Sequence, residues 1–537
     1  MKKKFFRLLA VMAIIFSLVL AGCAPSKSNQ STEKDVKRET DELVLSIKGE
    51  PDTGFDPTTG WGRYGSPLFQ STLLKRDHNL NIVNDLATSY EVTKDGKVWT
   101  VVLREDVQFS DGKPLTADDV IFTFETALNN GSVVDLNVLD KVEAVNANTV
   151  KFTLKEAQST FINSLVVTGI IPKHAYGKGY AENPIGSGPY QLVQWDKGQQ
   201  LIVKANPEYY DQKPFFQKIT FLFLNEDAAF AAAQAGKVDI AAIPASFSKQ
   251  QVPGMRLEAL QSVDNRGIVF PYVKSGAVTK DGLPIGNDVT ADSAIRHAIN
   301  MAVDRQALID GVLEGHGSKA YTSVDSLPWW NSETVFKDAD MNGAQTLLHD
   351  SGWKDTDDDG ILEKGSLKAE FSLYYPAEDT IRQSLSIAVA DMIKPLGINI
   401  KVEGASWDTI EQKMFSNAVL MGWGSHNPHE MYDVYSSRYA GVDYYNTGFY
   451  KNEKVDEYFE KALAAADSTE AIEYWKQAQW DGTTGLSAIG DAPWAWLVNI
   501  DHLYLVKNGL DIGKQGIQPH GHGWPMTNNI EDWKWAE

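Results

Sequence analysis

Two histidine pairs carry the side chains best placed for chemistry in this chain. His426 and His429 stand three apart in "MGWGSHNPHEMY", and His520 and His522 flank one glycine in "QPHGHGWP". Neutral imidazole is a good ligand for nickel, copper or zinc, and with Cys23 as the single cysteine, nitrogen and oxygen are the donors that remain. If the four rings met, they would form a transition-metal site. The Asn427-Pro428 break predicts a turn, so His426 and His429 need not share a helix face. The stretch from His429 also approaches the zinc-protease pattern, but Asp433 stands where the second histidine is required. With no nucleophile elbow, Walker loop or Rossmann glycine pattern, an enzyme is not expected. Among the other histidines, His297 falls on an amphipathic helical stretch and reads as structural.

The elements that must position these side chains alternate along the chain. "ELVLSI", "VWTVVLRE", "TVKFTL" and "KITFLFL" read as strands, and "TADDVIFTFETALNN" as a helix capped by Thr116 with acidic residues in its first turn. "ADSAIRHAINMAVDRQALIDGVL" reads as helical, and "TIRQSLSIAVADMIKPLG" as a helix leading into the strand "INIKVE". This is α/β organisation without a fixed repeat, and the length calls for more than one packed core. A formal net charge of −21 disfavours nucleic acid and anionic headgroups as partners. At the start, Lys2, Lys3, Lys4 and Arg7 precede the apolar run from Leu8 to Leu20 and then Leu20-Ala21-Gly22-Cys23. That pattern predicts a lipoprotein signal over 1–22, with acylation of Cys23 and a polar tether over 23–41. The acidic loop Asp355, Asp357, Asp359, Gly360 follows the start of a calcium loop. Ser366 stands where a bidentate glutamate is required, so the loop reads as a structural turn.

Several segments resemble, in fixed order, the extracytoplasmic solute-binding proteins of peptide and nickel ABC importers. They are "SYEVTKDGKVWTVVLREDVQFSDGKPLTADDVIFTFE", "PIGSGPYQLVQW", "NPEYY", "AAQAGKVDIA", "IRHAINMAVDRQALI", "DTDDDGILEKG" and "MIKPLGINIKVE". The resemblance implies a two-lobed periplasmic-binding-protein-like fold of the large class, hinged by two crossing segments near "NRGIVFPYV" and "WLVNIDHLYLV". Lobe I would comprise 42–267 plus 499–537, and lobe II 268–498. His426 and His429 would then face His520 and His522 across a cleft. The family also places ligand-facing residues after the first strand, where Trp61, Arg63 and Tyr64 fall. Arg63 or Arg438 could fork onto a carboxylate, and Trp423 and Trp494 could stack on a ligand, although packing accounts for any of these equally well.

In peptide binders of this family an aspartate after Gly-Trp pairs with the peptide ammonium, and here His426 falls near that position. The better-known nickel binders carry an arginine before Ile-x-Pro, and here Val167-Thr168-Gly169 leads into Ile171-Pro172 without one. The expectation is therefore a lipid-anchored, monomeric binding protein on the outer face of the cell membrane. It would capture nickel or a similar metal, free or as a histidine chelate, for ABC permease subunits. It would hold no intrinsic cofactor. An oligopeptide ligand is the alternative.

Overall fold

The protein is described here from a computed structural model over residues 41–47, 49–130 and 135–536. The expected signal, the acylated Cys23 and the tether up to Thr40 lie outside the described residues.

Three principal sheets organise the chain. The largest has seven strands, in the order Met255–Leu260, His502–Lys507, Ile240–Ala242, Glu42–Ser46, Lys218–Leu222, Gln200–Ala205 and Tyr190–Asp196. Glu42–Ser46 runs parallel to both of its neighbours. A four-stranded antiparallel sheet belongs to the same lobe, with Val98–Leu103 and Thr149–Leu154 at its centre. Alternation in "VWTVVL" buries Trp99, Val101 and Leu103 on one face, where the helix Ala117–Asn129 packs its Val120 and Phe124. Asp119 folds back to accept from the Thr116 amide at 3.0 Å, closing the start of that helix.

The second lobe is built on six strands: Gly317–Lys319, Trp494–Ile500, Asn265–Val269, Ala418–Met421, Glu370–Pro376 and Asn399–Ala405. Its central strands are apolar on both faces because both are covered, so they read as continuous hydrophobic runs. The stretch expected as one long helix is two, Ser293–Ala302 and Arg305–Val312. Asp304 breaks it by accepting from the Ala307 amide at 2.9 Å, and so starts the second helix.

The chain passes from the first lobe to the second between Leu260 and Asn265 and returns between Ile500 and His502. Both crossings lie a few residues from the expected boundaries, since Asn265 already pairs with Asn499 inside the six-stranded sheet. They are tied to each other: the Ile500 amide donates to the Asp264 carbonyl at 2.9 Å, and His502 Nε2 lies 3.3 Å from Asp264 Oδ2.

Candidate functional site

A cavity enclosing about 1460 Å³ of empty space, its mouth included, lies between the lobes. One wall comes from residues 62–76 and 158–167 of the first lobe, and the facing wall from residues 425–433 and Tyr445 of the second. The first wall is fixed by a close approach, since a side chain at Gly186 would stand 2.0 Å from the Phe69 carbonyl oxygen. The second wall begins at Gly424, whose φ of +144 and closeness to the Val263 oxygen, 2.3 Å from any added Cβ, leave no room for another residue.

Hydrogen bonds across the lobes hold the walls together. Arg76 Nη2 donates to the His426 carbonyl oxygen at 2.6 Å and also to the Asn163 side chain. Thr160 Oγ1 lies 3.2 Å from His429 Nδ1, and the Ser159 amide donates to the Leu463 oxygen at 2.7 Å. The structure is thus a closed form of the two lobes. Burial, reinforced by the Arg76 charge, holds the His426 ring down to about 3, so it is neutral across the physiological range.

The electrostatics of the cavity are dominated by acids. Glu430 Oε1 accepts from the Gly424 and Ser425 amides at 2.9 and 2.8 Å, while its buried Oε2 accepts no hydrogen bond. Asp433 stands one helical turn on, and its Oδ1 is 3.5 Å from His429 Nε2, with Asp135 Oδ2 3.9 Å from the same nitrogen. Burial and the neighbouring Glu430 and Asp135 push the Asp433 carboxyl up to about 8. Burial also raises Glu430, against the pull of its two amide donors and of Arg63. Arg63 lies over the Tyr64 ring at 5.0 Å, and despite burial its pKa is raised by Tyr64, Tyr445 and Glu430.

A family model described as bacterial extracellular solute-binding proteins, family 5 (middle), matches residues 81–445. The chain is 34% identical over 487 residues to protein XP55 of Streptomyces lividans, covering 87% of this chain and 85% of the relative. It belongs to the family 5 extracellular solute-binding proteins. The oligopeptide-binding protein AppA of Bacillus subtilis is 28% identical over 514 residues, covering 89% of this chain and 91% of the relative. AppA solved with a nonapeptide superposes with a TM-score of 0.68 at 26% identity, covering 92% of this chain and 99% of that one. NikZ of Campylobacter jejuni, solved with Ni(L-His), superposes with a TM-score of 0.76 at 26% identity, covering 93% and 100%.

Within this family 5 framework the sequence-predicted residues part company. His426, His429, Arg63 and Tyr64 line the cavity. His520 and His522 stack on each other, centroids 4.5 Å apart, and His520 Nε2 lies 3.5 Å from Oδ1 of Asp264 in the crossing. The four imidazoles therefore do not converge: among the described residues, the one trio of His, Cys, Asp or Glu close enough to share an ion contains none of them. The loop that carries His520 is drawn to the backbone instead, its amide donating to Gly424 at 2.7 Å.

The aromatic and arginine expectations are corrected similarly. Trp61 packs edge-on against Phe55 and Trp524 in the first lobe's core, with Nε1 donating to the Pro67 carbonyl at 2.6 Å. Trp494 is 3% exposed and stacks on Trp496 inside the second lobe's core. Trp423 lies behind the cavity wall, stacked on the lining residue Tyr445 at 5.5 Å. The Arg438 side chain is 65% exposed and pairs with Glu460, away from the cavity. The residues that sequence reasoning passed over are Glu430, Asp433, Asp135 and Arg76. A signal for the first two was present, since acids three apart in "HEMYD" share a helix face.

Proposed function

We propose that this chain is the ligand-capturing component of an ABC importer and that its ligand is an oligopeptide held between the lobes. The observation that carries the reading is the excess of buried carboxylate over cation in one cavity. Burial raises both Glu430 and Asp433, with Asp264 adding to the first and Glu430 and Asp135 to the second, and Arg63 is the cation acting on both. An ammonium group placed among them would satisfy the bare Glu430 oxygen and relieve the repulsion. Family 5 binding proteins deliver ligands to permease subunits, and closure about the two crossings would exclude water from the bound ligand. The similarity to AppA, named an oligopeptide-binding protein, supports the same reading. An acylated Cys23 would keep the protein at the outer face of the membrane.

A nickel–histidine complex is the second reading, favoured by the similarity to NikZ and weakened by the dispersed histidines. Calorimetric titration with tri- to nonapeptides, their N-acetylated forms, and nickel with free histidine separates the two. The peptide reading expects heat from free peptides and at least a tenfold loss on acetylation. Saturable nickel–histidine binding without peptide binding would reverse the order.

A further inference from the structure

The acidic loop of the second lobe, far in sequence from the cavity walls, holds a feature that its sequence conceals. Asp355, Asp357 and Asp359 alternate before Gly360, and the twelfth position is Ser366. In the structure the ninth position, Glu363, folds into the loop. Asp355, Asp357 and Glu363 each present one oxygen within 4.8 Å of the others. Oxygens held at about 2.3–2.6 Å from one calcium ion are separated by up to ~5 Å, whereas an octahedral magnesium site spans only about 4.2 Å. Three oxygens within 4.8 Å of one another can therefore share one calcium ion.

Glu363 supplies the independent evidence. The residue is 7% exposed. Its Oε2 accepts from the Thr356 amide and hydroxyl at 2.9 and 2.8 Å, but its buried Oε1 accepts no hydrogen bond. A buried carboxylate oxygen left in that state is costly unless a cation completes it. The Lys368 ammonium lies 3.6 Å from this oxygen and 3.2 Å from Asp357 Oδ2, and also pairs with Asp359. One ammonium faces three carboxylates, and with its side chain 43% exposed it can swing into water.

We propose that residues 355–363 bind a calcium ion through Asp355, Asp357, Asp359 and Glu363, with Lys368 occupying the cation's place when calcium is scarce. The ion would pin this loop to the body of the second lobe. Glu363 and Lys354 exchange backbone hydrogen bonds at 2.8 and 2.9 Å, and Leu362 donates to Gly397 at 2.8 Å. The site is structural and independent of which ligand fills the cavity.

The test uses the mature chain stripped with a chelator and titrated with calcium chloride, with magnesium chloride as the control. One calcium should bind with a Kd of roughly 0.1–1 mM, the range of extracellular calcium modules. Calcium should raise the melting temperature by more than the same magnesium concentration does. Glu363→Gln and the exposed Asp357→Asn should each weaken binding at least tenfold, and Lys368→Ala should tighten it several-fold by removing the competing ammonium. The absence of heat and of a melting shift up to about 10 mM, well above that range, overturns the site. Calcium binding unchanged in both carboxylate variants also overturns it, since the ion would then sit in the diffuse acidic field. Weaker binding in Lys368→Ala contradicts the exchange between ammonium and calcium.

Discussion

Arg76 and His426 meet across the interlobe cavity, the guanidinium of the first lobe donating to the main-chain oxygen of the second at 2.6 Å. His426 therefore contributes its backbone to closure while its ring stays buried and neutral. Hydrogen bonds to a charged group contribute about 1.5–3 kcal/mol, enough to shift an open–closed equilibrium by roughly tenfold or more. Arg76→Ala should populate the open form. Solution scattering would show a larger radius of gyration in the variant, and peptide affinity would fall by about tenfold by the same arithmetic. An unchanged scattering profile and unchanged affinity would remove this contact from the account of closure.

The dispersed imidazoles make a prediction opposite to that of a metal bridge. His520→Ala combined with His522→Ala should leave peptide affinity within about threefold, because neither ring lines the cavity and both touch it at one remove, by packing on Tyr64. Nickel should not raise the melting temperature of the parent chain at neutral pH. A nickel-dependent rise that this double variant abolishes would show that the C-terminal pair does hold metal.

Asp433 sets a pH dependence whose sign follows from its environment. Its carboxyl is raised from 3.8 to about 8 on folding. The folded state thus binds this proton more tightly than the unfolded state, so the associated stability is greatest below the unfolded value and declines as pH rises towards 8. An ammonium ligand favours the ionised carboxylate, so peptide binding should release a proton and tighten between about pH 6 and pH 8. Calorimetry in buffers of different ionisation enthalpy reads the proton directly. Asp433→Asn should flatten the profile. A profile equally steep in that variant assigns the titration to another group.

Three side chains expected at the ligand separate by burial. Trp494→Ala should cost about 3–5 kcal/mol of stability, as for a large aromatic removed from a core. Trp61→Ala should behave similarly, whereas Arg438→Ala on the surface should change stability by less than about 0.5 kcal/mol and leave binding intact. Chemical denaturation and peptide titration of the three variants check this ordering.

What the sequence revealed and what it hid follow from the same physics. The alternation in "VWTVVL" and the capped start at Thr116 are local signals, and the structure contains both elements where those signals put them. Arg63 and Tyr64 reach the cavity because the loop after the first strand is held against Gly186 and Gly188, glycines legible in "IGSGPY". Trp494 misled because a tryptophan looks the same facing a core or a ligand, and only strand pairing with Asn265–Val269 decides which. Asp433 is raised by burial, by Glu430 and by Asp135, and a residue as distant in the chain as Asp135 carries no local sign that it will be a neighbour. Glu363 is a similar case, where the loop's fold supplied a carboxylate at a position from which the linear motif did not demand one.

The most direct test of the central claim is native mass spectrometry of the mature protein, purified without a metal-affinity tag from cells grown in peptide-rich medium. An oligopeptide ligand gives an adduct whose mass disperses over a range of peptides, which acid releases and tandem sequencing resolves into chains with free N-termini. A single sharp adduct equal to nickel plus one or two histidines, with no peptide recovered, would contradict it.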